Sequence, residues 1–147
     1  MEIVVKLGTY SEIRNDASFV RNTVFCIEQQ ISKEIERDGN DAEGMHVVLY
    51  ENGSPVTAAR IIKTDNQYRI GRVATIKEYR GRGYGTIVVK TLIDWAFTNG
   101  INEVFIHSQK HAEEFYKALG FKSFGGFFEE AGIKHINMVI KKCDIID

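Results

Sequence analysis

Six consecutive residues, Arg80-Gly81-Arg82-Gly83-Tyr84-Gly85, offer the most distinctive chemistry in the chain. They follow an apolar segment and precede one with helical spacing, so the loop is expected to leave a strand and open a helix. The first N–H groups of a helix have no partner inside it, and with the positive end of the helix dipole they form an anion site. Gly81, Gly83 and Gly85 permit positive φ and let an anion approach the backbone without a Cβ in the way. Arg80 and Arg82 add positive charge. The loop is not a Walker A motif, since no Gly-Lys-Ser/Thr closes it, and G-x-G-x-x-G fails because Thr86 stands at the third glycine. The pattern is Arg-x-x-Gly-x-Gly. By itself it also reads as a plain glycine-rich turn before a helix.

The elements around the loop follow from periodicity and turn residues. Residues 3–7 read as a strand. Asp16 is expected to cap a helix carrying Phe19, Val20, Thr23, Val24 and Ile27 at helical spacing. Residues 32–44 are polar and acidic and read as a loop. Residues 45–51 and 56–63 read as strands joined across Asn52-Gly53, a strong hairpin signal. After a turn at Asp65-Asn66, residues 68–76 form another strand. Residues 86–99 read as a helix with Ile87, Val88, Leu92, Ile93 and Ala96 inward, stopped by Gly100. Residues 104–107 form a short strand. Ala112, Phe115, Tyr116 and Leu119 mark a second helix ended by Gly120, and residues 121–128 and 133–141 close the chain as strands. The expected fold class is α/β (α+β), a mixed sheet that begins as antiparallel hairpins and then alternates with helices. Such sheets bind ligands at the carboxyl ends of strands where the topology changes.

In this setting the chain resembles the Gcn5-related N-acetyltransferase (GNAT) superfamily, whose signature Arg/Gln-x-x-Gly-x-Gly/Ala lies between the fourth strand and a helix. A second signature follows in Gln109-x-x-Ala112-x-x-Phe115-Tyr116-x-x-x-Gly120-Phe121, with Gln109 where the family usually has Asn. Val24-Phe25-Cys26-Ile27-Glu28-Gln29, Glu36-x-Asp38-Gly39-x-Asp41, Gly71-Arg72-Val73-Ala74, His107-Ser108-Gln109 and the segment from Phe128 to His135 further resemble the bacterial ElaA/YjcF-like subgroup. The resemblance covers nearly the whole chain. It implies the GNAT fold, a mostly antiparallel central sheet flanked by helices, and transfer of acetyl from acetyl-coenzyme A to a primary amine by direct attack in a ternary complex.

The same resemblance distributes roles. Main-chain groups of Val73 and Thr75 would bind the pantetheine arm as an added strand, with a free N–H near Ala74 or Thr75 polarising the thioester carbonyl. Residues 80–86, Thr86 included, would hold the pyrophosphate, with Gln109, Ala112 and Phe115 completing the cofactor side. Tyr116 would protonate the departing thiolate, although its spacing alone reads as core. An amine with a pKa near ~10 also needs a base. Glu28, His46, His107, Glu129, Glu130 and His135 are candidates, with Glu28, His107 and His135 ranked as facing the acceptor. A water chain could replace any of them.

Composition bounds the remaining classes. At 147 residues with a formal net charge of −1, the chain reads as a single domain, residues 1–147, without the basic excess of a nucleic-acid binder. No apolar run spans a bilayer, Cys26 and Cys143 have neither zinc nor C-x-x-C spacing, and the chain reads as cytoplasmic. Asp38-Gly39-Asn40-Asp41 misplaces the glycine and distal glutamate of an EF-hand, and the histidines show no ligand spacing, so no metal is expected. Acidic residues between 34 and 43 suggest a cationic acceptor, a small molecule or a peptide amine. The apolar residues 124–128 suggest an acceptor wall or a homodimer contact. Two rival readings stand beside an enzyme: a catalytically silent coenzyme A-binding regulatory module, and a nucleotide-binding protein using the same loop.

Overall fold

A computed structural model describes residues 1–144. Seven strands form one sheet in the order β1-β2-β3-β4-β5-β7-β6. Strands β1 (Ile3–Thr9), β2 (Met45–Glu51), β3 (Ser54–Thr64) and β4 (Gln67–Thr75) are successive antiparallel neighbours. Two-residue turns join β2 to β3 at Asn52-Gly53 and β3 to β4 at Asp65-Asn66, and all four central residues have positive φ. That is the turn whose twist matches paired strands. A third turn of this kind, Ala131-Gly132, joins β6 (Lys122–Glu130) to β7 (Ile133–Lys141).

The two halves of the sheet meet at its one parallel pairing. Helix α3 (Tyr84–Thr98) carries the chain from β4 to β5 (Glu103–Gln109), and these strands pair over only three positions: Tyr68–Val104, Arg69–Phe105 and Ile70–Ile106. Beyond Ile70 and Ile106 the strands separate. Between Ala58 and Arg60 of β3, strand β4 carries one extra residue, and Arg72 there adopts φ +51°. Such a bulge bends its strand and is common beside functional sites. Here it lies where the two strands part.

Both sheet faces are covered. On one, Val88, Val89, Leu92 and Ile93 of α3 pack against Val47, Ile61, Ile70 and Ile106, with Tyr116 of α4 (Glu113–Ala118) and Phe121 just after that helix joining the same cluster. On the other, Ile13, Ala17 and Val20 of α1 (Tyr10–Arg21) pack with Val24 and Phe25 against Val48, Ala58 and Ala74.

The first helical segment departs from the expectation. It begins at Tyr10, where the Glu12 carboxylate accepts from the Thr9 N–H (2.7 Å) and hydroxyl (2.9 Å). Asp16 lies inside it and accepts from the Tyr50 hydroxyl at 2.5 Å. From Asn22 to Glu28 the chain winds as a π-helix. Its wider i→i+5 turn breaks the 3.6-residue period, and of the residues at helical spacing Val20 and Val24 are buried while Phe19 and Ile27 are exposed. Ile87 of α3 is exposed as well. The segment 32–44 contains a helical turn, α2 (Lys33–Glu36).

Candidate active site

The parting of β4 and β5 opens into a cleft of about 990 Å³. Its mouth on the α3 side is the glycine loop. Gly81 and Gly83 have φ of +82° and +81°, and a Cβ at either would meet nothing within 4 Å. The glycines are thus required for backbone conformation and open ground, not for packing. Gly83 sits at the N-cap of α3, no side chain caps the helix, and its first turn holds no acid. The first intrahelical bond runs from the Ile87 N–H to the Gly83 carbonyl (3.3 Å), which leaves the N–H groups of the preceding residues for a ligand. The loop, helix start and cleft form an anion cradle.

The arginines of the loop are committed elsewhere. Arg80 forms a two-pronged pair with Glu28 (2.5 and 2.8 Å), and its Nε donates to the Thr75 carbonyl at 2.9 Å. Arg82 lies outside the cleft lining and pairs with Glu51, which also accepts from the Tyr84 hydroxyl. Positive charge at the loop therefore comes from backbone donors and helix dipole, with Arg80 available only in exchange for Glu28. That pair holds the Glu28 carboxylate below the usual range, which suits an ion-pair partner better than a base. The Tyr84 phenol points away from the cleft to which its backbone belongs.

The other cofactor-side positions line the cleft. Val73, Ala74 and Thr75 run along the edge of β4 that β5 abandons. The Thr75 carbonyl is already taken by Arg80, and its hydroxyl accepts from Thr57 at 3.2 Å. Gln109, Ala112 and Phe115 line the opposite wall with Thr86 and Gly85. A Cβ on Gly85 would come 3.4 Å from the Phe115 ring, so the ring lies over the first turn of α3. Tyr116 lines the same cleft, edge-on to Phe115 and Phe121 (centroids 4.9 and 5.8 Å). Burial raises its pKa, and its hydroxyl makes no hydrogen bond with any described residue. It is a neutral phenol with an uncommitted proton.

A second polar group sits across the gap. His107 is the first β5 residue past the parallel pairing, and its Nδ1 lies 2.9 Å from Glu130 Oε1. That contact, its largest influence, holds the Glu130 carboxyl below the usual range. With Glu130 ionised, Nδ1 carries the imidazole proton and Nε2 is left as an acceptor. His135 Nε2 lies 3.7 Å from Glu130 Oε2, and Nδ1 is 2.7 Å from the Ile133 carbonyl. The Phe128 ring stands between the two imidazoles, edge-on to His107 and stacked on His135. His46 is elsewhere: it is 1 % exposed, packs on Tyr10 and has Nε2 3.0 Å from the Asp41 carbonyl. Glu129 does not line the cleft.

The floor under residues 32–44 is a cluster of arginine–carboxylate pairs. Arg21 pairs with Glu36 (2.8 Å) and Asp41 (2.7 Å), Arg60 with Asp38 (2.5 Å) and Asp41 (2.8 Å), and Arg72 with Glu36 (3.1 Å). Arg72 also donates to the Ile35 and Glu36 carbonyls (3.1 and 2.9 Å), which ties the bulge of β4 to this segment. Three of the acids that suggested a cationic acceptor, Glu36, Asp38 and Asp41, are spent on internal arginines, while Glu34 and Glu43 stay exposed.

The profile of the acetyltransferase (GNAT) domain matches residues 11–142. The chain belongs to the GNAT acetyltransferase family. An N-acetyltransferase of uncharacterised activity, YjcF of Bacillus subtilis, is 34% identical over 125 residues, covering 84% of this chain and 89% of the relative. The crystal structure of Escherichia coli ElaA superposes with a TM-score of 0.85 at 26% identity, over 95% of this chain and 100% of that one. Both agree with the subgroup that the sequence resembles. PaiA N-acetyltransferase from Thermoplasma acidophilum, solved with coenzyme A, shares the fold at a TM-score of 0.69, over 96% of this GNAT chain and 99% of its own, and with 13% identity the likeness is one of fold alone.

Proposed function

We propose that the protein is an acetyl-coenzyme A-dependent N-acetyltransferase acting on a primary amine by direct attack. The observation that carries this reading is the uncapped α3 N-terminus opening onto the same gap that holds the uncommitted Tyr116 hydroxyl. Backbone donors of residues 83–86 would hold the pyrophosphate, and the abandoned edge of β4 would take the pantetheine arm as a strand. The acetyl thioester would then lie where β4 and β5 part.

The residues supply both proton movements. His107 Nε2, with Nδ1 bound to Glu130, takes a proton from the incoming ammonium. The amine lone pair attacks the thioester carbonyl carbon, so a C–N bond forms as the C–S bond breaks. Tyr116 gives its proton to the departing sulfur. The second amine proton passes through water to the Tyr116 phenolate, which restores the phenol, and His107 releases its own proton to solvent. A phenol kept neutral by burial and a histidine oriented by a carboxylate suit opposite ends of this reaction.

Calorimetric titration with coenzyme A and a thiol-release assay with an amine panel test the reading. Saturable binding and release with at least one amine are expected, and absence of coenzyme A binding sinks it. Gly83→Ala should cost about 1–2 kcal/mol, because φ near +81° is left-handed, and should also weaken coenzyme A binding. Gly53→Ala, equally left-handed at +85° but in a distant hairpin, should cost stability alone. Denaturant titration of both variants separates the two effects.

A further inference from the structure

Four arginines line the cleft: Arg60, Arg69, Arg72 and Arg80. Three are consumed within the protein, Arg60 by Asp38 and Asp41, Arg72 by Glu36 and main-chain carbonyls, and Arg80 by Glu28. Arg69 makes no hydrogen bond or ion pair with any described residue, and its Nε is buried without a partner. A buried guanidinium N–H left unpaired is costly unless a ligand completes it.

The register places this arginine on the acceptor side. Arg69 pairs with Phe105 in the parallel ladder, so its side chain leaves the same sheet face as Phe105 and, two residues on, His107. It lies two residues, about 7 Å along the strand, before the gap opens at Gly71. Glu130 lies near enough to feel its charge, but the Glu130 oxygens are engaged by His107 and His135 and make no hydrogen bond to it. The cleft therefore presents a proton acceptor, His107, and an unsatisfied planar cation a short distance apart. Guanidinium recognises carboxylate in two-pronged fashion.

We propose that the acceptor is an amine bearing its own carboxylate, a small amino acid in the broad sense, with the carboxylate on Arg69 and the amine at His107. The assignment rests on the acetyltransfer reading above.

The test compares acids with their amides: L-leucine with L-leucinamide, L-phenylalanine with L-phenylalaninamide, and 4-aminobutyrate with 4-aminobutyramide. Thiol release is followed across pH so that rates refer to the free amine. At least one acid should exceed its amide in kcat/KM. Arg69→Gln should lower kcat/KM for that acid about 10- to 100-fold, mainly through KM, as expected for loss of hydrogen bonds to a charged group. The amide and coenzyme A affinity should be unaffected, and Arg69→Lys should restore part of the loss. Thermal melts of both variants check folding. If amides equal or exceed acids in every pair while other amines release thiol, the carboxylate assignment is wrong and the acetyltransferase reading stands. If coenzyme A does not bind, or no amine releases thiol, the acetyltransferase reading fails and takes this one with it.

Discussion

Tyr116→Phe is expected to lower kcat by about 10²–10⁴-fold, the usual worth of a positioned general acid, with little change in KM for either substrate. The ring packs edge-on to Phe115 and Phe121, and phenylalanine preserves that packing. Because the hydroxyl bonds to nothing described in the protein, its removal leaves no orphaned partner, so stability should be nearly unchanged. The two readings of this residue thus give opposite results: a core tyrosine predicts normal turnover, an acid predicts a large loss in kcat alone. The loss should shrink with a thioester whose thiol is more acidic, since a better leaving group needs less help. Full turnover by the variant at every pH would remove Tyr116 from the mechanism.

Arg21→Met is expected to destabilise the fold by about 3 kcal/mol, the lower end of what removing one partner from a buried ion pair costs. Arg21 is 2 % exposed and serves Glu36 and Asp41 together. Arg60 and Arg72 still face those carboxylates, which keeps the cost from going higher. Urea denaturation measures it, and a loss below about 1 kcal/mol would mean that the remaining arginines suffice. The same cluster sets the acid response. Burial depresses the pKa of His46, so the unfolded chain takes up a proton there before the native one does. Stability contributed by neutral His46 is present above the unfolded value of about 6.5 and falls as pH drops below it. Asp38 and Asp41 are depressed as well, so their contribution holds above about 4 and is lost as pH falls further. Urea midpoints should decline gently from about pH 6.5 and steeply below about pH 4. A flat profile from neutral to pH 4 would contradict the His46 assignment.

How legible the site was depended on the kind of interaction. The glycine loop and the aromatic pair Phe115-Tyr116 could be placed because backbone conformation and local spacing determine them. Two of the hairpins could be read from their central residues. The π-helix was not, because 3.6-residue spacing assigns faces only while the helix keeps that pitch, and Phe19 and Ile27, which share that spacing with Val20 and Val24, are exposed. The arginine–carboxylate cluster joins residues as far apart as Arg21 and Asp41, or Glu36 and Arg72. Nothing local distinguishes such acids from a solvated acidic loop. Arg82 carries the motif's charge in sequence, yet its partner Glu51 lies at the end of β2, far from the loop in sequence. Arg69 had no signal at all, since what marks it is the absence of a partner.

The three-position seam between β4 and β5 also has a bearing on how the chain folds. The hairpins β2–β3 and β3–β4 close across two residues, whereas β1 reaches β2 only after α1 and the segment up to residue 44, and the seam must wait for all of α3 to fall into place. Loop closure is cheapest for near neighbours, and non-local pairings form late. The β2–β3–β4 meander is expected to appear early, the β5–β7–β6 unit to dock last, and the gap between them to be the final thing assembled. Pulse-labelled amide exchange during refolding should protect Ile61 and Ile70 before Met138.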